Sequence, residues 1–135
     1  MTKIFSYGRT EKLKSRKLMQ ELFSKGKTFT VYPVKVFYMQ STVKLDHPVK
    51  VGVGTSTRHF KKAVDRNRIK RLLREVYRTE KIPLQECLKS SGKQAVIFFL
   101  YVDKSLPEYA ELKTKMHLVL HKLVKQLNET SAQNS

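Results

Sequence analysis

The segment from Lys61 to Lys81 is the part of this chain that most restricts the possible fold. Its apolar residues recur at the spacing i, i+3, i+4, i+7, i+8, and they are Ile69, Leu72, Leu73, Val76 and Tyr77. At about 100° of rotation per residue they fall within an arc of about 140°. The pattern predicts an amphipathic helix that buries one face against a core.

A series of basic residues at four-residue intervals runs along the same predicted helix. We call it the basic ladder, and it consists of Lys62, Arg66, Lys70, Arg74 and Arg78. Asn67 and Arg71 lie in the same arc, whereas Lys61 and Arg68 flank the opposite border of the apolar face. Like charges at this spacing destabilise an isolated helix by about 0.2–0.5 kcal/mol per pair. Bound phosphates would remove that repulsion, and arginine side chains match phosphate geometry bidentately.

The whole chain shares this positive charge. Its 135 residues include 28 Lys or Arg against 11 Asp or Glu, which gives a formal net charge of +17. An ordinary solvated charged surface would mix both signs, so the one-signed ladder and the overall charge favour nucleic acid as the partner.

The N-terminal third of the chain predicts one helix and two strands. The helix covers 16–25, with Ser15 as its N-cap and Gly26 as a left-handed residue after its end. Strand-like sequence follows over 28–41, and Pro33 is expected to divide it in two. In the second piece, one set of alternate residues is expected to point to each side of the sheet: Val34, Val36 and Tyr38 to one, and Lys35, Phe37 and Met39 to the other.

The remaining elements follow from periodicity and turn residues. Alternation over 49–54 predicts the second half of a hairpin, and its glycines would let another group approach the backbone closely. A loop is expected over 89–93, and the apolar run 95–102 suits a central strand covered on both faces. Ser105 and Glu108 resemble a capping box for a last helix. The buried stripe of that helix is expected to be Tyr109, Leu112, Met116, Leu120, Leu123 and Leu127.

These elements predict an α+β fold of the order αβββαβα, a two-layer sandwich with one mixed sheet. The length fits one domain, expected over 13–128, with flexible segments over 1–12 and 129–135. General statistics would make the strand–helix–strand crossover right-handed.

Compartment and chemistry are restricted by what the sequence contains. Cys87 is the only cysteine, which indicates a reducing compartment such as the cytoplasm and a structural thiol. Residues 1–10 lack the apolar core of a signal peptide, and the longest apolar run, 95–102, is shorter than the roughly 20 residues of a membrane span. The acids are scattered, so we expect neither a metallonuclease site nor a catalytic residue in the protein. His117 and His121 could chelate zinc, but the sequence offers no third ligand, so we expect no metal site.

The run Ala63-Val-Asp-Arg-Asn-Arg-Ile-Lys-Arg-Leu-Leu-Arg-Glu75 resembles the signature of the bacterial ribonuclease P protein subunit. The resemblance extends upstream to the first helix, with Leu13, Met19, Phe23 and Gly26, and to Val51-Gly52-Val53. It covers roughly 13–102, and length, charge and element order agree.

The resemblance implies a ribosomal-protein-like fold with a left-handed crossover, in place of the right-handed one. It also implies an accessory subunit of an endoribonuclease that binds the catalytic RNA and helps it remove the 5′ leader of precursor tRNA. Mg²⁺ would be bound mainly by the RNA. The partners would be that RNA and precursor tRNA, with no membrane and no obligate protein partner.

The resemblance and the charge pattern together select the site residues. The expected RNA-binding residues are Arg58, His59, Lys61, Lys62, Arg66, Asn67, Arg68, Lys70, Arg71, Arg74 and Arg78. The expected leader-binding cleft consists of Met19, Phe23, Lys35 and Phe37. Met19 stands where the family often has Phe, so it keeps apolar contact but loses ring stacking. Ordinary core packing remains an alternative for Phe23, Lys35 and Phe37.

Two other functions remain open from the sequence. One is a non-enzymatic structural RNA binder of the ribosomal-protein or RNA-chaperone type, which would show the same electrostatics. The other is a DNA-binding regulator, but a helix-turn-helix needs two helices joined by a short turn, whereas strands flank the basic helix here.

Overall fold

The computed structural model describes residues 12–41, 44–45 and 47–133, with side chains as far as Asn128. Its elements are α1 (Arg16–Lys25), β1 (Lys27–Val31), β2 (Val34–Gln40), β3 (Val49–Thr55), α2 (Ala63–Glu80), α3 (Ile82–Ser91), β4 (Ala95–Tyr101) and α4 (Tyr109–Gln133). The α+β class and the mixed sheet are as expected from the sequence, with one additional helix.

The strand order of the four-stranded sheet is β1-β2-β4-β3. β4 lies in the interior, antiparallel to β2 and parallel to β3, with Val51 opposite Ile97. Its apolar run was predicted to be central, and Val96, Ile97 and Phe99 are fully buried. The prediction that β3 is the second half of a hairpin is wrong, because β4 lies between β2 and β3 in the sheet. The apolar residues on both faces of β4 suit this interior position.

Helices cover the two faces of the sheet unequally. α2, α3 and α4 pack on one face, against residues that include Val34, Val36 and Tyr38 of β2, as the alternation predicted. α1 lies on the opposite face, where Leu22 packs with Val96 in a smaller core. The sandwich therefore has a third, partial layer formed by one helix.

The connection between β3 and β4 contains α3, which the sequence analysis missed. The loop expected over 89–93 is instead the end of α3 followed by Gly92, a left-handed cap with φ 69°. Buried Leu84 and Leu88, spaced i, i+4, were the available signal. The parallel pairing of β3 and β4 makes α2 and α3 a crossover connection, and its left-handedness remains a prediction from the resemblance.

α1 begins and ends at the predicted residues, but Gly26 acts differently from the expectation. Ser15 caps the helix by accepting a hydrogen bond from the amide of Leu18 at 3.2 Å. Gly26 is extended, with φ −70°, so the left-handed assignment is wrong. A Cβ on Gly26 would lie 3.1 Å from the carbonyl oxygen of Tyr38 and closer still to Leu22, so close packing excludes a side chain there.

The last helix departs from its predicted boundaries. α4 begins at Tyr109, and Ser105 hydrogen-bonds Asp103 instead of capping the helix, so the capping box is wrong. The stripe holds Leu112, Met116, Leu120, Leu123 and Leu127, together with Val119, whereas Tyr109 is exposed. The backbone is helical to Gln133, past the boundary expected at 128.

The expected N-terminal flexible segment lies outside the described residues except for Lys12. Lys12 forms a parallel bridge with Val51, and the amide of Leu13 donates to the carbonyl of Val51 at 2.9 Å. Residues 12 and 13 therefore extend the sheet beyond β3. In the part of the chain that the structure describes, no helix has the length and apolarity needed to cross a bilayer.

Candidate nucleic-acid interface

α2 separates an apolar side from a basic side, as its sequence predicted. Ile69, Leu73, Val76 and Tyr77 are fully buried against the sheet and α4, and Leu72 is half-buried. The other side carries the predicted RNA-binding residues: Asn67, Arg68, Arg71 and Arg74 are exposed, and Arg66, Lys70 and Arg78 are half-buried. Burial of the apolar side fixes the rotation of the helix and so keeps the basic side turned outward.

The loop before α2 is held by one member of the basic ladder. The guanidinium of Arg66 donates hydrogen bonds to the carbonyl oxygens of Phe60, at 2.8 Å, and Lys61, at 2.6 Å. Phe60 anchors the same loop by packing on the ring of Tyr101, with centroids 6.2 Å apart. Arg66 therefore positions the segment that presents four other exposed candidates, Arg58, His59, Lys61 and Lys62.

Arg78, at the far end of the basic ladder, is paired within the helix. It forms an ion pair with Glu75, whose pKa is lowered by the hydrogen bond from Arg78. The same bond raises the pKa of Arg78. The charge of Arg78 is therefore partly neutralised by Glu75.

Three members of the basic ladder, Lys62, Lys70 and Arg74, and the neighbouring Arg71 have no ion pair among the described residues. Lys81 does not extend the basic surface, because only 2% of it is exposed and its Nζ lies 5.9 Å from the centroid of the Tyr77 ring. The exposed charge is thus concentrated between the first and fourth turns of α2.

Three aromatic rings form a half-open cluster where α1 crosses the sheet. We call Phe23, Phe37 and Phe98 the ring cluster; the Phe23 centroid lies 5.0 Å from that of Phe37 and 5.1 Å from that of Phe98, both edge to face. Phe23 is 48% exposed, and the Nζ of Lys35 lies 5.2 Å from the centroid of the Phe37 ring. The structure therefore brings the predicted cleft residues Phe23, Lys35 and Phe37 together.

Phe98 is the cleft residue that the sequence analysis missed. A Cβ at Gly52 would lie 2.8 Å from Cδ2 of its ring, and one at Gly54 would lie 2.7 Å from Cζ. The two glycines were predicted to permit a close approach, and Phe98 is the group that makes it. Their spacing on β3 was the available signal for a bulky neighbour.

A groove connects the ring cluster to the basic ladder. It has a volume of about 230 Å³ and is lined by residues that include Met19, Gly52, Phe98 and Arg74. Met19 is half-buried and also packs in the smaller core. Because Phe98 of the ring cluster and Arg74 of the basic ladder line the same groove, the cleft and the basic side of α2 adjoin each other.

Potential metal-binding side chains are dispersed in the described segments, which contain no group of three or more His, Cys, Asp or Glu side chains that could hold a metal ion. His117 contacts Glu80, with Nδ1 3.2 Å from the carboxylate oxygen, and Cys87 donates to the side chain of Asn128. Exposed guanidinium groups are the kind of side chain that pairs with phosphates, and exposed aromatic rings are the kind that stacks on bases.

A family model and several curated proteins resemble this chain in sequence. The family model Ribonuclease P matches residues 7–124. The ribonuclease P protein component of Porphyromonas gingivalis strain ATCC 33277 is 30% identical over 130 residues, which cover 96% of this chain and 95% of the relative. The ribonuclease P protein component of Chlorobium phaeobacteroides is 34% identical over 123 residues, 84% of each chain.

Solved structures share the fold. The RNase P protein of Staphylococcus aureus superposes with a TM-score of 0.67 at 19% identity, over 85% of this chain and 96% of that one. The RNase P protein of Thermotoga maritima gives a TM-score of 0.61 at 19% identity, over 83% of this chain and 96% of that one.

Proposed function

This chain belongs to the bacterial ribonuclease P protein family, and from that premise we propose that the basic side of α2 docks on the catalytic RNA while the neighbouring cleft takes the 5′ leader of precursor tRNA. The family assignment makes the chain a subunit of an endoribonuclease of tRNA processing whose RNA carries the catalysis. The residues in contact with each RNA are our proposal.

The observation that carries the proposal is that the two surfaces adjoin each other at the groove that Phe98 and Arg74 line. A structured RNA presents closely spaced phosphates, and the exposed arginines of α2 can neutralise them. A single-stranded leader presents bases that stack on rings without sequence preference, and the ring cluster offers such a platform beside Lys35. In this proposal the leader lies in the groove next to the docked RNA, as cleavage at the leader's end requires.

The protein's role in the proposal is positioning. Cations on α2 reduce repulsion between the catalytic RNA and its substrate, which also carries phosphates. The expected consequence is a lower Mg²⁺ requirement for the RNA. We assign Mg²⁺ mainly to the RNA, because the acids of the described chain do not converge. We also assign the protein to the cytoplasm, with RNA as its sole obligate partner.

The test is cleavage of precursor tRNA by a bacterial ribonuclease P RNA at low Mg²⁺. The unmodified chain should rescue cleavage, and the variant Arg71→Gln/Arg74→Gln should fail to do so at the same concentration. Lys104→Gln/Lys115→Gln removes the same charge away from α2 and should rescue normally. Binding of this RNA without rescue by the unmodified chain would favour a purely structural RNA binder instead.

A further inference from the structure

α4 carries a second series of basic residues, two lysines and two histidines, on its exposed side. From Tyr109 to Asn128 it contains four lysines and two histidines against a single acid, Glu111. Four of these residues, which we call the α4 strip, lie at four-residue intervals and are all exposed: Lys113, His117, His121 and Lys125. At about 1.5 Å of rise per residue the strip is about 18 Å long.

Few acidic side chains of the described residues contact the strip. Glu80 of α2 contacts its first two members, with carboxylate oxygens 4.0 Å from Nζ of Lys113 and 3.2 Å from Nδ1 of His117. His121 and Lys125 have no ion pair with any other described residue. Among the described residues, one half-buried carboxylate therefore contacts two of the four strip residues.

The strip and the groove lie on different sides of α2. Glu80, which reaches the strip, and Arg74, which lines the groove, are separated by about 120° around the helix axis at 3.6 residues per turn. An RNA segment docked at the groove end of the basic ladder would therefore leave the α4 strip facing another direction.

We propose that the α4 strip is a second phosphate-binding surface, which holds a separate segment of the RNA docked on α2. The inference rests on the proposed function, because it assigns the strip to the same RNA. Lys113 and Lys125 supply positive charge, and the exposed imidazoles of His117 and His121 add N–H donors for phosphate oxygens between them.

A membrane surface fits the strip less well. A helix that lies in a membrane interface must insert its apolar face, whereas Leu112, Met116 and Leu123 of α4 are at most 1% exposed beneath the helix. On the outer side of α4, Leu118 is a lone large apolar residue, 47% exposed, at the level of the strip. A basic surface that has no apolar face to insert into a bilayer is suited to bind a hydrated polyanion such as RNA.

The first experiment measures the affinity of the full chain for a bacterial ribonuclease P RNA transcript against monovalent salt. Lys113→Gln/Lys125→Gln should weaken binding about tenfold near 0.15 M salt and flatten the log–log salt slope by about 2, since two phosphate contacts are lost. The charge-matched control Lys104→Gln/Lys115→Gln should lose less than about twofold. Equal losses of affinity in the two variants would show that the strip contributes only through the net charge of the chain, and would overturn the proposal.

A second experiment separates this inference from the proposed function. Hydroxyl-radical footprinting of the RNA should show protected segments that Arg71→Gln/Arg74→Gln loses and others that Lys113→Gln/Lys125→Gln loses. If the α2 variant keeps both affinity and footprint, the proposed function fails. If only the strip variant keeps them, the proposed function stands and the second surface is refuted.

Glu80 provides a test in the opposite direction. Glu80→Gln should tighten RNA binding about two- to threefold by releasing Lys113 and His117, and the gain should vanish when both are already Gln. An equal gain in either background would contradict the contact-based account. Vesicles of phosphatidylserine provide the last comparison: if the strip variant loses vesicle binding but keeps RNA binding, the strip belongs to a lipid surface.

Discussion

The two faces of the sheet differ in how completely they are covered. Beneath α2, α3 and α4, Val36, Ile97 and Phe99 are fully buried. On the other face α1 covers only part of the same strands, and Phe23 stays 48% exposed above Phe37 and Phe98. Alternate residues of β2 and β4 thus form the main core on one side and a partly exposed ring cluster on the other.

The largest expected effect is on the covered face. Leu73→Ala should lower the free energy of unfolding by about 2–5 kcal/mol, because it leaves a cavity where α2 meets the sheet. Denaturant unfolding measures the loss. Phe23→Ala should cost clearly less, since nearly half of that side chain is in solvent. Similar losses for the two variants would erase the contrast between the faces.

Gly52→Ala tests how the open face is shaped. The added Cβ would meet Phe98 at 2.8 Å, so the ring must move, and we expect a loss of about 1–3 kcal/mol from overpacking. Binding of leader-bearing precursor tRNA should weaken, while affinity for the catalytic RNA should change little. If stability and leader binding both remained as in the unmodified chain, the glycines would not set the position of Phe98.

Phe23→Ala tests whether the open face binds the leader. Loss of one stacking surface, worth about 1–3 kcal/mol per base, should weaken binding of precursor tRNA to the assembled enzyme about tenfold. Binding of mature tRNA should change by less than about twofold. Equal losses with both RNAs would show that Phe23 only packs against the core.

The smallest effect is expected from restoring a ring at Met19. Met19→Phe places a flat surface in the groove beside Phe98 and Arg74, and precursor tRNA should bind about threefold more tightly. Mature tRNA is the control, and unfolding should be checked because Met19 is half-buried. No gain for the precursor would mean that position 19 only lines the groove.

The sequence predicted best what depends on local periodicity. The boundaries of α1, the buried side of α2 and the interior position of β4 all follow from residues a few positions apart. The pairing of β3 was missed because it depends on β4, about 45 positions away in the chain. α3 was missed because only Lys81 separates it from α2, and because Ser90, Ser91 and Gly92 at its end are residues typical of a loop.

The candidate site was predicted unevenly for the same reason. Its cations were identifiable because they recur at helical spacing on α2. Phe98 was not, because β4 is apolar throughout and its pattern does not distinguish the two faces. The hydrogen bonds of Arg66 to the loop before α2 and the ion pair of Arg78 with Glu75 depend on side-chain geometry, which residue spacing alone does not predict.

The central claim is that the basic side of α2 is free to neutralise RNA phosphates. Its most direct test is the affinity for ribonuclease P RNA across monovalent salt, for the unmodified chain and for Arg71→Gln/Arg74→Gln. With about 5–8 phosphates neutralised, the log–log slope should be about −4 to −7, and the variant should flatten it by about 2. A slope near −1 for the unmodified chain, or an unchanged slope in the variant, would contradict the account.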